Sequence, residues 1–349
     1  MTITDQERER YSRQMILEQI GEEGQERLLE GFIVIIGVGA LGTTIANTLV
    51  RSGVGRILIV DRDLVELSNL QRQLLFTEED VGKPKATAAA DRLRMINSST
   101  EVEAIVDDVH YANVEEIIKG ADIVIDGTDN METRFLLNDA CVKHGIPWIY
   151  GGAVGSYGMT MNILPGTTPC LKCIISNLPD AGALATCDTV GVLTAIPTII
   201  GSIQATEAMK ILIRGGEKEI DEATPMNQDL LVWDIWRHSY QNMEVKRHPG
   251  CSCCVKKEFD FLNAGRREII TSLCGTNSVQ ITPVEKGRFR FQDLVERMDR
   301  VEGAETNEIC VKIRTNGFEL VIFRTGRLIV HGTKDKNIAK SLYAKYVGV

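Results

Sequence analysis

Three groups of residues in this chain have types and spacings that can do chemistry. The first is Gly37-Val38-Gly39-Ala40-Leu41-Gly42, set between the apolar run FIVII at 32–36 and a helical stretch at 43–52. In a strand–turn–helix unit, glycines at 37, 39 and 42 let a turn aim backbone N–H groups and the positive helix end at an anion. The competing reading is that the glycines serve close packing alone. Asp61 lies 19 residues beyond Gly42, at the end of a second apolar run, RILIV. A carboxylate there accepts hydrogen bonds from ribose hydroxyls. The turn by itself leaves NAD and ATP both open.

The second group favours ATP. Asn69, Gln71, Arg72 and Lys85 follow the second strand and are polar or cationic, where a dinucleotide dehydrogenase needs an apolar face for nicotinamide. Cationic side chains near the turn suit a triphosphate whose charge shifts during reaction. A fourth apolar run, 121–125, ends in Asp126-Gly127-Thr128-Asp129-Asn130, at the edge of a parallel sheet where ligands sit. Asp129 there can hold Mg²⁺, a hard cation that takes carboxylate and phosphate oxygens. It can equally cap the helix that follows.

The third group is cysteine. Cys170-Leu-Lys-Cys173 and Cys251-Ser-Cys-Cys254 are two CxxC knuckles with 77 residues between them. Four thiolates in this arrangement suit a closed, tetrahedral, structural Zn²⁺ site. The interval exceeds that of a compact zinc ribbon, so the metal would pin distant parts of the chain together. Cys253, inside the second knuckle, is an alternative ligand. Cys187 stands apart in DAGALATCDTVGV. Cys141, Cys274 and Cys310 read as packing residues.

These groups need a scaffold, and the chain supplies an alternating one. Strands at 32–36, 56–60, 101–106, 121–125 and 147–150 alternate with helices at 43–52, 83–96, 114–119 and 134–144. That pattern predicts a doubly wound, Rossmann-like, mostly parallel α/β sheet. A helical stripe (Tyr11, Met15, Ile16, Ile20, Leu28) precedes it. Strands at 159–164 and 230–235 predict an antiparallel extension, with a helix at 198–214 between them. Strands at 278–283, 310–314, 318–323 and 327–330, with helices at 291–300 and 336–346, predict a small separate α+β domain. The expected organisation is an N-terminal helical arm (1–30), a nucleotide-binding domain with the zinc site (31–254) and an accessory domain (255–349).

Bulk properties exclude several classes. At 349 residues with 44% hydrophobic and 25% charged residues, the chain can build a large core and is not a disordered one. The net charge is −9; residues 255–349 carry 17 Lys+Arg against 12 Asp+Glu, or +5, which leaves −14 for residues 1–254. An acidic main body argues against nucleic acid as a partner. The most apolar stretch, 190–213, is interrupted by Thr194, Pro197, Ser202, Gln204, Glu207 and Lys210, so no membrane span is expected. The start, MTITDQERERYSRQ, is no export signal, and nine cysteines, an odd number, do not suit a disulfide framework. The expected compartment is the cytoplasm.

The segments RYSRQ (10–14), GVGALG (37–42), DRDLVELSNLQRQ (61–73), VGKPK (81–85), DGTDN (126–130) and CDTVGVL (187–193), together with the paired CxxC motifs, resemble the MoeB/ThiF family, relatives of ubiquitin-activating enzymes. The resemblance covers about residues 5–254. It implies an ATP-dependent adenylyltransferase that activates the C-terminal Gly-Gly tail of a ubiquitin-fold, ThiS- or MoaD-like sulfur-carrier protein. Backbone from Gly39 through Ala40 to Gly42 would contact phosphates, and Asp61 ribose. Asn69 and Arg72 would contact phosphates with Gln71 nearby; Asp63 and Asn130 would complete the nucleotide contacts. Lys85 would stabilise the transition state, and Asp129 would hold Mg²⁺. Arg13 would reach into a partner subunit's site, which implies a homodimer. The family pattern favours Cys170, Cys173, Cys251 and Cys254 as the zinc ligands, and Cys187 matches a loop cysteine that in some members bonds to the carrier.

The tail from 255 departs from the shortest family members and lacks the CxxxxR-type loop of a rhodanese module, so a separate sulfur donor is expected. Its last part resembles strand–turn–strand–helix units of the TATA-binding-protein type, an echo of fold that carries no function. Its positive charge suits docking of an acidic carrier. A peptide or a tRNA base adenylated by the same fold is the nearest competing reading.

Overall fold

The computed structural model describes residues 3–179, 185–215, 225–263, 269–273, 277–282, 290–298, 304–307, 309–315 and 317–347. They form two compact units, Met1–Asn263 and Ala264–Val349.

In the first unit the elements run α1 (Asp5–Met15), α2 (Gly21–Glu30), β1 (Phe32–Ile36), α3 (Ala40–Arg51), β2 (Arg56–Val60), α4 (Lys85–Ile96), β3 (Glu101–Ile105), α5 (Val114–Ile117), β4 (Ile123–Asp126) and α6 (Met131–His144). Then follow β5 (Trp148–Val154), β6 (Tyr157–Ile163), α7 (Leu171–Ile174), α8 (Cys187–Val190), α9 (Ala195–Ile213), β7 (Leu230–Asp234) and β8 (Ser239–Met243). One eight-stranded sheet takes the order β3-β2-β1-β4-β5-β6-β7-β8. Strands β3, β2, β1, β4 and β5 pair in parallel, and β5 through β8 pair antiparallel. This is the doubly wound sheet with its antiparallel extension.

The continuous apolar runs are explained by burial on both faces, since side chains alternate along a strand. Ile33 and Ile35 of β1 join Ile57, Ile59, Ile123 and Ile125 in one core, packed by Ile45 and Leu49 of α3, Leu93 of α4 and Ile200 and Leu212 of α9. Val34 and Ile36 face the other way, with Val124 and Trp148, onto Phe135 and Leu137 of α6. Each fully buried aliphatic side chain contributes about 1.5–3 kcal/mol.

Several boundaries differ from the sequence reading. The stripe over 5–30 is two helices, because the chain breaks at Leu17–Ile20 and Gly21 takes a positive φ of 61°. α9 begins at Ala195, with Pro197 in its first turn, where a missing N–H costs nothing. α6 starts three residues earlier than expected, capped by Asn130. β8 is an additional strand; its residues SYQNM are mostly exposed and carry no apolar alternation to betray them. No helix among the described residues is long and apolar enough to cross a membrane.

The second unit is an antiparallel sheet of order β11-β12-β13-β14-β10-β9, from β9 (Ile269–Leu273), β10 (Ser278–Thr282), β11 (Ala304–Thr306), β12 (Cys310–Thr315), β13 (Phe318–Phe323) and β14 (Leu328–His331). Helices α10 (Phe291–Met298) and α11 (Lys336–Tyr346) contribute Leu294, Ala339 and Leu342 to its core with Val279, Val311, Leu320 and Val330. β9 and β11 add to the four strands expected. Cys310 is fully buried. Cys274, Pro283 and residues 299–300 lie outside the described residues.

The turn after β1 closes on the loop after β4 through three glycines. Gly37 has φ 89°. A Cβ on Gly42 would lie 2.0 Å from the Gly37 carbonyl oxygen, and one on Gly127 2.4 Å from the same oxygen. No side chain fits either place. Gly42→Ala is therefore expected to lower stability by about 3 kcal/mol through overpacking, although alanine is the better helix former. Denaturant unfolding of the two proteins checks this.

Candidate functional site

The carboxyl ends of β1, β2 and β4 bring most of the singled-out residues to one place. The turn from Gly37 to Gly42 leads into α3, whose N-cap is Gly39 with no side-chain cap. Its first N–H groups therefore face outward without an intrahelical partner. Asp61 follows β2 and braces this turn: its Oδ2 accepts from Val38 N at 2.7 Å and its Oδ1 from Asp63 N at 2.8 Å. Burial pushes the Asp61 carboxyl above its ordinary range, and the charge of Lys85 and the two N–H groups oppose the push.

Lys85 is buried at the start of α4, with Nζ 3.3 Å from Asp63 Oδ2. A helix N-terminus is a poor place for a cation. Burial also works against its charge, but Asp63, Asp61 and, further off, Asp129 hold the ammonium above its ordinary value. Asn69 is buried and accepts from Glu66 N at 3.2 Å. Arg72 is half-buried, its Nη1 donating to Ser68 O at 3.0 Å.

The loop after β4 is shaped by a buried ion pair. Asp126 Oδ1 accepts from Thr128 N at 2.9 Å and Thr128 Oγ1 at 2.7 Å. Its Oδ2 pairs with Arg134 Nε at 2.9 Å. Arg134 Nη2 also donates to the carbonyls of Thr128 at 2.6 Å and Gly151 at 2.7 Å, so the first turn of α6 grips both the loop and β5. Asn130 Oδ1 accepts from Thr133 N at 2.8 Å. The capping role that Asp129 was offered thus belongs to Asn130, and Asp129 is left exposed, within electrostatic reach of Arg62, Lys85 and Arg134.

Three site residues escaped the sequence reading. Arg62 pairs with Asp108 at 2.9 Å and lies 3.7 Å from Asp63; burial opposes its charge, yet these acids hold it above its ordinary value. Arg134 was read only as the start of a helix. Gln73 is buried beside Gly39, and its Oε1 has no hydrogen-bond partner among the described residues. An acceptor left without a donor beside the glycine turn is satisfied by a donor such as a hydroxyl or water, not by a phosphate oxygen. Its place within SNLQRQ was the one available signal.

Other singled-out residues stand elsewhere. Gln71 is exposed, with its carbonyl and Oε1 each 2.8 Å from Thr194 Oγ1. Cys187 opens α8, half-buried, with Sγ 3.5 Å from Ala153 O at the end of β5. Arg13 is exposed on α1. That helix is anchored by Tyr11, whose hydroxyl accepts from Asn97 at 2.9 Å, and by Gln14, which donates to Ser52 O at 3.0 Å. Ser52 caps the far end of α3, a 12-residue helix about 18 Å long. Arg13 is thus anchored a helix length from the glycine turn of its own chain.

The cysteines form a second centre. The Sγ atoms of Cys170, Cys173, Cys251 and Cys254 all lie within 4.8 Å of one another. Three of the pairs are 4.0, 3.6 and 3.5 Å apart. A tetrahedron of 2.3 Å Zn–S bonds has edges of about 3.8 Å, so the thiols fit zinc as they stand. Cys253 is excluded from the set: it is buried and receives Asn138 Nδ2 at 3.2 Å. Asn138 Oδ1 accepts from Leu171 N at 2.8 Å, and Asp139 pairs with Lys172 at 3.3 Å. The cysteine centre is thereby fastened to α6, the helix whose other end holds the Asp126–Asn130 loop.

Comparison with known proteins agrees in extent with this architecture. The family model described as ThiF family matches residues 11–253. The sulfur carrier protein ThiS adenylyltransferase of Bacillus subtilis is 44% identical over 345 residues, covering 97% of this chain and 99% of the relative. The sulfur carrier protein adenylyltransferase of Thermus thermophilus is 39% identical over 260 residues, covering 73% of this chain and 93% of the relative. A crystal structure of E. coli MccB with ATP superposes with a TM-score of 0.59 at 25% identity, over 70% of this chain and 74% of that chain.

The thiol geometry separates neighbouring cysteines. Cys254→Ser is expected to lose bound zinc on dialysis and to melt several degrees lower, whereas Cys253→Ser keeps its zinc. Atomic emission and thermal unfolding of the two variants check both halves.

Proposed function

This chain belongs to the ThiF family, and we propose that it adenylates the C-terminal glycine of a ubiquitin-fold sulfur-carrier protein, consuming ATP and releasing pyrophosphate. The observation that carries this reading is the convergence, at one sheet edge, of an open phosphate turn, the Asp61 carboxylate braced on Val38 N and a Lys85 that burial has not discharged. The near full-length match to a ThiS adenylyltransferase supports the carrier as substrate.

The chemistry needs no general base. The carrier's terminal carboxylate is already ionised at neutral pH. One of its oxygens attacks the α-phosphorus, the α–β P–O bond breaks and pyrophosphate departs with the electron pair. What the protein must do is align the carboxylate and neutralise charge on the phosphates. Backbone N–H groups from Gly39, Ala40 and Gly42 receive phosphate oxygens, Asp61 and Asp63 take the ribose side, and Asn69, Arg72 and Lys85 meet the phosphates. Gln73, with its unpartnered Oε1, and Arg62 line the same edge. Mg²⁺, when bound, supplies further positive charge to the phosphate oxygens, and the exposed Asp129 with Asn130 beside it is the group to hold it. Zinc at the four cysteines is structural, since four protein ligands leave no open position.

Arg13 acts in this scheme from a second copy of the chain. It cannot serve a site a helix length away from its own anchor, but an isologous dimer would exchange the two arginines. Ile16 and Leu17, 72% and 52% exposed just beyond Arg13, give that dimer apolar surface to cover. Cys187 is the group that would receive the activated carrier, its thiolate attacking the acyl-adenylate carbonyl to form a thioester as the acyl C–O bond breaks and AMP departs, and sulfur comes from a separate donor, in thiamin, molybdopterin or related synthesis in the cytoplasm.

ATP–pyrophosphate exchange should depend on a carrier protein ending in Gly-Gly. Arg72→Ala and Asp129→Ala should each reduce it about a hundredfold or more, as loss of a charge-stabilising group does, while both variants stay folded by circular dichroism. Exchange that proceeds equally without any carrier would overturn the reading.

A further inference from the structure

The segment carrying Cys187 is tied to the rest of the unit at several points, beginning with Cys187 Sγ, 3.5 Å from Ala153 O. α8 is a single turn that caps itself: Thr186 Oγ1 accepts from Thr189 N at 3.3 Å, and Thr189 Oγ1 accepts from Thr186 N at 2.9 Å. It ends at Gly191, with φ 76°. Beyond it, Val192 forms a one-residue parallel bridge to Gly155, with Gly155 N donating to Gly191 O and Leu193 N to Gly155 O, each at 2.8 Å. Val190 and Leu193 are 57% and 39% exposed, so the apolar seating of this stretch rests on Val192, which packs against the core of the sheet. The last tether is Thr194, whose Oγ1 reaches the carbonyl and the side-chain amide of Gln71 at 2.8 Å. A hydroxyl has one proton but accepts as well. Both Gln71 atoms at this distance are oxygens, so Oγ1 donates to one or the other, and either bond holds Thr194 to Gln71.

Gln71 is not a free surface residue. It sits between Asn69, which organises its turn by accepting from Glu66 N, and Arg72, whose own N donates to the Asn69 carbonyl at 3.0 Å. These are the residues that meet the phosphates in the proposed function, on which the following rests. We propose that Thr194 is a positioning residue that ties the Cys187 segment to the phosphate-contacting loop, so that nucleotide occupancy sets how accessible the Cys187 sulfur is. Nucleotide that orders Asn69 to Arg72 steadies Gln71, and through it Thr194 and the start of α9. By linkage, a displaced Cys187 segment weakens the hold on nucleotide by the same factor. The arrangement would keep the sulfur withdrawn while ATP occupies the site and release it once pyrophosphate has gone, when the thiolate can displace AMP from the carrier acyl-adenylate.

The test is the rate at which iodoacetamide modifies Cys187, followed by mass mapping of its peptide in the full-length protein, with and without ATP and Mg²⁺. Thr194→Val removes the hydroxyl at constant size, and Thr194→Ser retains it. Without nucleotide, Thr194→Val should be modified about fivefold faster than the unaltered protein or Thr194→Ser, and with ATP those two should slow about fivefold, the low end of ordinary coupling between sites. Thr194→Val should show no slowing although it binds ATP. Equal rates in all three proteins without nucleotide, or an ATP response retained in Thr194→Val, would overturn the proposal. Failure of the unaltered protein to bind ATP in a parallel titration would instead count against the proposed function, and the nucleotide-free rates would still decide the role of Thr194.

Discussion

The carbonyl oxygen of Gly37 is the point from which the site is built. It lies where a Cβ of Gly42 or of Gly127 would have to go, so the turn after β1, the first turn of α3 and the loop after β4 can share one small volume only as glycines. That contact places the glycine turn against the segment that carries Asp129. Each side is then braced separately. Asp61 receives Val38 N on the β1 side. On the β4 side, Asp126 and Arg134 are sealed together with the carbonyls of Thr128 and Gly151. A buried ion pair contributes little net stability, because both charges lose their hydration. What it does here is geometric: Arg134 joins Asp126, the Thr128 carbonyl and the Gly151 carbonyl, and so ties the loop after β4 to β5.

The same helix links the two centres. α6 carries Arg134 in its first turn and Asn138 and Asp139 further on, and these last two hold the cysteine knuckles through Leu171, Cys253 and Lys172. The helix between them couples the four-cysteine cluster, which fits zinc, to the loop after β4. The cluster fixes the antiparallel half of the sheet to the element that shapes the β4 loop. Two of the cations at the sheet edge follow one rule, in which burial is offset by neighbouring acids that keep the group charged. Lys85 has Asp63 and Asp61, and Arg62 has Asp108 and Asp63.

Much of this was readable beforehand, for identifiable reasons. FIVII and RILIV read as buried strands because both of their faces are apolar, and the glycine turn and the CxxC pairs read as sites because their spacing carries the geometry. Arg134 was illegible because its partners, Asp126, Thr128 and Gly151, meet only in the folded chain. Gln73 gave no signal beyond its neighbours. Asp129 and Asn130 are adjacent and both can cap a helix; only the fold assigns the cap to Asn130 and frees Asp129. The start of α9 was placed late because Pro197 reads as a breaker, although a first turn accepts it. Cys253 and Cys254 differ by one position, and it is Asn138 that separates them.

In the proposed enzyme, one complete site takes the glycine turn and Asp129 from one chain and Arg13 from another. Mixing Arg13→Ala and Asp129→Ala proteins, after dissociation and reassociation, tests it most directly. Random pairing in a two-fold dimer would restore one intact site in the mixed species, so the mixture should recover about a quarter of the unaltered pyrophosphate exchange from two nearly inactive parents. A mixture no more active than its parents would contradict the account.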